Sequence, residues 1–313
     1  MKFSIVITTY NRVDFLKRAI ASALNQTIAC EIIVVDNAST DGTQDYVKGL
    51  GDRVRYHRNP TNAHHAGAVN EGVRIATGDW IKFVDDDDYL ADNCLETLAA
   101  AIARHPQAVI CSCQAIQVDT QEQESSRTPE TGPGSAFFIP QTAIHYGMLL
   151  EQVPFGTPIQ VAVQREAFMA AGGWDRTMTS CVEIDAWIRI SEYGDAIFVN
   201  QPLAYRTIWP GGYDHRINLT NRRDVNFTIK ERIYKRISSQ YRDRVPALPV
   251  MRNYLNLHWG LVALKQKKLG TAVTLCFPAT FSPQAWQLLR QARAMRKRGF
   301  EPSPIPKTAI NMP

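Results

Sequence analysis

Short apolar runs alternate with amphipathic ones from the first residues onward, and this alternation restricts the chain to a narrow set of folds. FSIVIT (3–8), EIIVVD (31–36), VRYHR (54–58) and WIKFVD (80–85) have the length and pattern of strands. Between them, DFLKRAIASALNQ, TQDYVKGL and AGAVNEGVRIAT carry helical periodicity, and LADNCLETLAAAIARH follows the fourth strand in the same pattern. A helix between two strands returns the chain in the same direction, so the sheet is mostly parallel and covered by helices on both faces. Such double cover explains why IIVV is apolar at every position rather than at alternate ones.

Farther on, AVICSCQAIQV (108–118) and AIFVNQPLAYRTI (196–208) read as strands, SCVEIDAWIRISEYG as a helix, and DTQEQESSRTPETGPGS as a polar loop. The last hundred residues are helical in pattern, notably RRDVNFTIKERIYKRISSQYRD and SPQAWQLLRQARAMRKRG. The expectation is an α/β catalytic domain over 1–210, with a mostly parallel central sheet flanked by helices, and a basic, mainly helical C-terminal extension over 211–313. Charge divides at the same place. Residues 1–210 hold 16 Lys+Arg against 25 Asp+Glu, about −9, and 211–313 hold 19 against 5, about +14. An acidic body suits a bound cation, and a basic tail suits an anionic membrane, a nucleic acid or phosphate-bearing substrates.

Six scattered cysteines without a CxxC pair argue for a reducing compartment. MKFSIVITTYNR lacks the pattern of a signal peptide, and no window reaches the roughly 18 apolar residues of a spanning helix. A cytoplasmic location, with peripheral contact at the inner face of a membrane, is the expectation.

In sheets of this kind ligands lie beyond the carboxyl ends of the strands. Those ends read Thr8-Thr9-Tyr10-Asn11, Asp36-Asn37 and Asp85 to Asp88. Two carboxylates about 5 Å apart repel by roughly 3 kcal/mol at an effective dielectric near 20, so four in a row need solvent, raised pKa values or a cation. Strand alternation pairs Asp85 with Asp87 and Asp86 with Asp88, and either pair of hard oxygen donors suits Mg²⁺ or Mn²⁺. The competing reading is a solvated turn, with Asp88 the best candidate for a plain turn or cap residue. Asp36 is either turn chemistry or an acceptor for a base or ribose. No GxGxxG or GxxxxGK[ST] loop occurs, so phosphates would be neutralised by a metal rather than cradled by glycines.

SIVITTYNR, EIIVVDNASTDGT, GDWIKFVDDDDYL and GGWD followed by EIDAWIRI, in this order and spacing, make residues 3 to 210 resemble a family 2 glycosyltransferase of the GT-A fold. The resemblance implies inverting transfer of a sugar from a nucleoside diphosphate, UDP favoured, to a hydroxyl of a glycan, lipid-linked or other acceptor in polysaccharide or glycoconjugate synthesis. It implies that Thr8, Thr9, Tyr10 and Arg12 line the nucleotide pocket, that Asp36 contacts the base with Asn62 nearby, and that Asp85, Asp86 and Asp87 form a DxD signature. Asp87 would touch Mn²⁺ or Mg²⁺ directly, and Asp85 would share the metal and lie nearer the ribose. The acceptor's proton needs a carboxylate base, for which Glu183 and Asp185 are the candidates. Glu183 stands where the family usually has aspartate, and Asp185 could instead pair with Arg189 at i,i+4.

A second departure is Val69, where the family often has arginine, although Asn70 and Gly72 match. His64 and His65 read as surface or helix-start residues, or else as contacts to phosphate or metal, and Asp214 with His215 as a lid that could complete the metal site. In the tail, Trp286, Leu289, Ala292 and Met295 recur at helical spacing beside Arg290, Arg293, Arg296, Lys297 and Arg298. That helix either lies on an anionic leaflet or packs on the catalytic domain with its basic face in solvent. Nucleic acid is disfavoured because no binding motif accompanies the charge. Two other functions compete: a nucleotidyltransferase, which normally has a glycine-rich loop that TTYNRVDF lacks, and a non-catalytic nucleotide or glycan binder of the same fold.

Overall fold

The structure, a computed structural model, describes residues 1–153, 155–178, 180–209, 219–277, 279–297 and 303–312. Asp214, His215 and Arg298 lie outside them, and so do the side chains of Met295, Arg296 and Lys297. The first stretch runs β1 (Phe3–Thr9), α1 (Val13–Leu24), β2 (Cys30–Asp36), α2 (Thr43–Gly49), β3 (Arg55–Arg58), α3 (His64–Ile75) and β4 (Trp80–Asp85). It continues with β5 (Tyr89–Leu90), α4 (Cys94–Arg104), β6 (Ala108–Val118), β7 (Glu124–Arg127), β8 (Ala136–Ile139) and α5 (Gln141–Leu149). Then come β9 (Val161–Gln164), α6 (Arg165–Ala170), α7 (Val182–Ile190) and β10 (Asp195–Thr207). The chain ends with α8 (Leu219–Arg236), α9 (Ser239–Arg242), α10 (Leu248–Lys265), α11 (Leu269–Cys276), α12 (Pro283–Lys297) and β11 (Thr308–Ala309).

Strands are ordered β11-β8-β10-β6-β9-β4-β1-β2-β3, and most paired residues lie in parallel ladders. The expected mixed, mostly parallel sheet flanked by helices is present. β9 runs antiparallel between β4 and β6, and β7 forms inside the segment expected to be loop, where Glu124–Arg127 finds an edge on β6. β1 and the end of β2 are buried throughout, as apolar runs covered on both faces should be.

Registry does the functional work of the sheet. In β1–β2 Thr9 lies opposite Asp36, and in β1–β4 Thr8 lies opposite Asp85. Because all three strands run the same way, their polar ends come out at one edge. α3 packs on β1 and β2 through Gly72, where a Cβ would fall 2.3 Å from Val6 Cγ1 and 3.1 Å from Val35 Cγ2.

Contacts divide the chain into two units. One comprises Met1–Gln141, Phe155–Pro210 and Lys307–Pro313; the other comprises Thr142–Pro154 and Gly211–Pro306. In the second, Leu257, Ala279, Ala285 and Leu289 form a small core with Tyr254, Leu261 and Trp286 against it. Within this unit Ala285, Trp286 and Leu289 of the C-terminal basic helix pack against α10. No helix among the described residues is long and apolar enough to cross a membrane.

Candidate active site

β1 ends in a turn set by side chains. Asn11 sits at φ 53°, a left-handed conformation that asparagine tolerates, and its Oδ1 accepts from Thr40 N–H at 2.7 Å. This binds the β1 end to the β2 end and delivers Tyr10 and Arg12 to the sheet edge. Asp36 is fully buried. Its Oδ1 accepts from Ser39 N–H at 2.8 Å, and its Oδ2 from Tyr56 O–H at 2.6 Å and Arg58 Nη1 at 2.9 Å. Three donors thus engage a carboxylate that has no exposed surface. Burial, then the bond to Asp36, pushes the Tyr56 phenol up to about 12. Asn62 is exposed and accepts from His64 N–H at 2.8 Å at the start of α3.

The four aspartates differ in surroundings. β4 stops at Asp85, and the N–H of Asp88 closes a turn on Asp85 O at 3.0 Å. Strand alternation therefore ends there, and the pairing of Asp85 with Asp87 and Asp86 with Asp88 expected from it gives way to turn geometry. Asp85 meets His65 Nε2 at 2.7 Å. Asp86 is buried, accepting from Thr9 Oγ1 at 2.8 Å, Tyr10 N at 3.3 Å and Arg12 Nη1 at 3.0 Å. Asp87 accepts from Trp209 Nε1 at 2.8 Å and from the same Arg12 Nη1 at 3.3 Å. Asp88 takes the N–H of Thr207 at 2.8 Å, so its side chain ties the turn to the remote end of β10 rather than capping the following helix as expected.

Burial sets the electrostatics. It pushes Asp86 up to about 6 against the pull of Arg12, with Asp87 and Asp85 adding to the rise. Asp87 is raised by burial and then by Asp85, and Asp88 is raised well above the usual carboxylate range by burial, Asp87 and Asp85. Asp85 goes the other way: burial opposes its charge, but His65, Arg12 and Arg206 hold it below the usual value. On His65 desolvation opposes protonation, and Asp85, then Glu183 and Asp86, raise the ring to about 8. The cluster is short of positive charge, and its donors are hard oxygens, so it fits a partly hydrated divalent cation. Among the described residues no three His, Cys, Asp or Glu side chains gather as a ready metal cage. Asp85 and Asp87 would supply two ligands, leaving the rest to water and substrate oxygens.

The two candidate bases separate cleanly. Asp185 is buried on α7, and its Oδ2 meets Arg189 Nε at 2.8 Å and Nη2 at 2.7 Å; Arg189 Nη1 also donates to Ala171 O. Glu183, two residues earlier and so on another side of α7, is half-buried and is close enough to His65 for its charge to raise that ring. Below them Trp174 and Trp187 pack on Phe83, and His65 meets Trp174 edge-on with centroids 5.1 Å apart. Asn70 clamps this wall, donating to Trp174 O at 2.9 Å and accepting from Trp174 N at 2.8 Å. Gly173, at φ +66°, lets the chain pass over Asn70, whose Oδ1 would lie 2.7 Å from an added Cβ.

Sequence reading missed Trp209 and Arg18. The guanidinium of Arg12 lies 5.1 Å from the Trp209 ring, and Arg18 Nη2 donates to Asp87 O at 2.8 Å and Thr207 Oγ1 at 2.6 Å. The only signal for them was a basic residue in the helix after β1 and an aromatic after β10, both common in surface segments.

The family model described as Glycosyl transferase family 2 matches residues 4–172. A Campylobacter jejuni protein named GalNAc(5)-diNAcBac-PP-undecaprenol beta-1,3-glucosyltransferase is 38% identical over 102 residues, covering 31% of this chain and 33% of that relative. Across the first curated relatives, alignments span 29% to 68% of the relative's own length. Among solved structures, Staphylococcus aureus TarS 1-349 in complex with UDP-GlcNAc superposes with a TM-score of 0.63 at 14% identity, covering 99% of each chain. The mannosyltransferase PcManGT from Pyrobaculum calidifontis, in complex with GDP-Man and Mn²⁺, gives 0.54 at 17% identity, covering 96% of this chain and 81% of that one. At these identities the shared property is the GT-A fold.

Proposed function

Because the chain belongs to glycosyl transferase family 2, we propose that it is an inverting, metal-dependent glycosyltransferase. It would move a sugar from a nucleoside diphosphate, UDP-linked in our reading, to a hydroxyl of a glycan or lipid-linked acceptor. The observation that carries this reading is the strand-end register, Thr8 opposite Asp85 and Thr9 opposite Asp36, which brings these polar residues to one sheet edge beside Asp86 and Asp87. Thr8, Thr9, Tyr10, Arg12, Asp36 and Asn62 would line the nucleotide. Asp85 and Asp87 would hold Mn²⁺ or Mg²⁺, in the manner of a DxD motif. Asp86, engaged by Thr9, Tyr10 and Arg12, would shape the pocket from behind.

When bound, the cation would supply Lewis-acid stabilisation of the charge that builds on the departing diphosphate. Of the two carboxylates on α7, Glu183 is our choice of base, because Asp185 is committed to Arg189. Its carboxylate would take the acceptor hydroxyl's proton as that oxygen bonds to the anomeric carbon, on the face opposite the leaving group. Inversion follows from that geometry. Asp185 would hold α7 in place through Arg189, and Trp174 would wall the sugar side against water.

The direct test is donor hydrolysis and transfer across UDP, GDP, dTDP and CDP sugars with and without Mn²⁺. We expect one donor class to turn over with metal, and Asp87→Ala to lose most of that activity. Equal activity of Asp87→Ala and wild type would remove Asp87 from the metal site.

A further inference from the structure

We propose that the second unit docks on an anionic lipid bilayer, through the outer face of α11 and the turn that follows it, with three lysines as the electrostatic border. This goes beyond the reading of the catalytic site and does not depend on it.

The surface is built by simple periodicity. Leu269, Val273 and Phe277 recur every fourth residue, so they share one side of α11. Their exposures are 64%, 66% and 68%, and Phe281 on the next turn reaches 81%. The opposite side of the same helix is buried through Ala272 and Leu275. Phe277 and Phe281 touch, with ring centroids 6.3 Å apart, so the most exposed rings form one patch rather than scattered residues. A contiguous exposed apolar set of this kind on a water-facing helix marks a contact surface.

Charge identifies the occupant. α10 stops where Lys267 N–H bonds Leu264 O and Lys268 N–H bonds Ala263 O, both at 3.0 Å, with Lys267 at φ 59°. This tight cap sets Lys265, Lys267 and Lys268 directly before Leu269. Lys265 also lines a cleft with Tyr254, Leu261 and Arg293, a concave cationic setting. Residues 244–300 contain ten Lys+Arg and no Asp or Glu. Apolar rings and aliphatics preceded by lysines, in a stretch of sequence without an acid, match the interface of an anionic leaflet, where the rings enter the acyl boundary and the lysines meet headgroups. A second copy of the chain on the same face would oppose lysine with lysine, and that repulsion disfavours a symmetric dimer. The apolar side of α12, by contrast, is already covered by α10.

Vesicle flotation of the full chain, without donor or metal, tests this. With phosphatidylcholine vesicles containing about a third phosphatidylglycerol we expect binding that weakens at about 1 M salt, and little binding to phosphatidylcholine alone. Phe277→Ser with Phe281→Ser should lower binding at least about tenfold, as should Lys265→Gln, Lys267→Gln and Lys268→Gln together, with melting temperatures near wild type because all five side chains project outward. A wild-type chain that stays with the soluble fraction, or variants that float equally well, would overturn the proposal. So would a concentration-dependent dimer that the phenylalanine variant makes monomeric, because the face would then belong to a second copy. Since the readout is binding alone, loss of glycosyl transfer leaves it untouched.

Discussion

At the scale of single residues, the two carboxylates two positions apart on α7 have opposite fates. Asp185 turns inward, and an isolated buried charge is costly, so it persists only with Arg189 beside it. Asp185→Asn is expected to cost about 3 kcal/mol of stability, the low end for breaking a buried pair because Arg189 keeps some solvent; urea denaturation reads this. Glu183→Gln should leave stability within about 0.5 kcal/mol and nucleotide affinity unchanged, while lowering turnover by about 10²–10⁴-fold, the range for loss of a general base. Calorimetry with nucleotide beside a transfer assay separates the effects, and full activity in Glu183→Gln would return the role of base to Asp185. The sequence carried both carboxylates and even the i,i+4 arginine. It did not carry the burial that distinguishes them.

At the scale of elements, the sheet and its covering helix fit so closely that small changes should register. Gly72→Ala would gain up to about 1 kcal/mol of helix propensity but set a methyl against the stiff, buried Val6, an overpacking cost of about 1–3 kcal/mol. We expect net destabilisation in chemical denaturation, relieved when Val6→Ala is added. Glu31, at the start of β2, ties its strand to β1 and to the segment leading into β4. Its Oε2 accepts from Ser4 Oγ at 2.5 Å and Thr77 N at 2.8 Å. Partial burial opposes its charge, but these bonds and Lys2 bring it below its ordinary value of 4.5. A depressed carboxylate contributes stability that is complete above the ordinary value and lost as pH falls through the folded one. The stability gap between wild type and Glu31→Gln should therefore narrow on acidification below about pH 4.5. A gap constant between neutral pH and pH 3 would show that Glu31 does not govern this part of the acid response.

At the scale of the molecule, a site poor in positive charge should respond to a cation and nucleotide together more than to either alone. If the nucleotide complex of Mn²⁺ is supplied at about 100 times its Kd, linkage adds about 2.7 kcal/mol, or a few degrees in melting temperature. A chelator should reverse the gain, and a shift identical without metal would argue against a metal-bridged donor. β1 to β4, β6 and β10, the mostly parallel order and the acidic-to-basic division were legible in the sequence, because each depends on local periodicity or composition, whereas β7, β8 and β9 form only where a neighbouring strand offers an edge. The side-chain assignments were not. Asp85, Asp86, Asp87 and Asp88 are four identical letters that acquire different neighbours from remote segments: His65, Thr9 with Arg12, Trp209 and Thr207. Strand alternation could not sort them, because β4 ends at Asp85 and a turn takes over. The apolar face of α11 was hidden for the same reason, since its residues look like core until packing leaves Val273 and Phe277 outside. Local sequence determined which elements form and where their polar ends emerge. Only tertiary packing decided which carboxylates stay available for chemistry and which apolar residues remain exposed, because burial and pairing depend on partners distant in the chain.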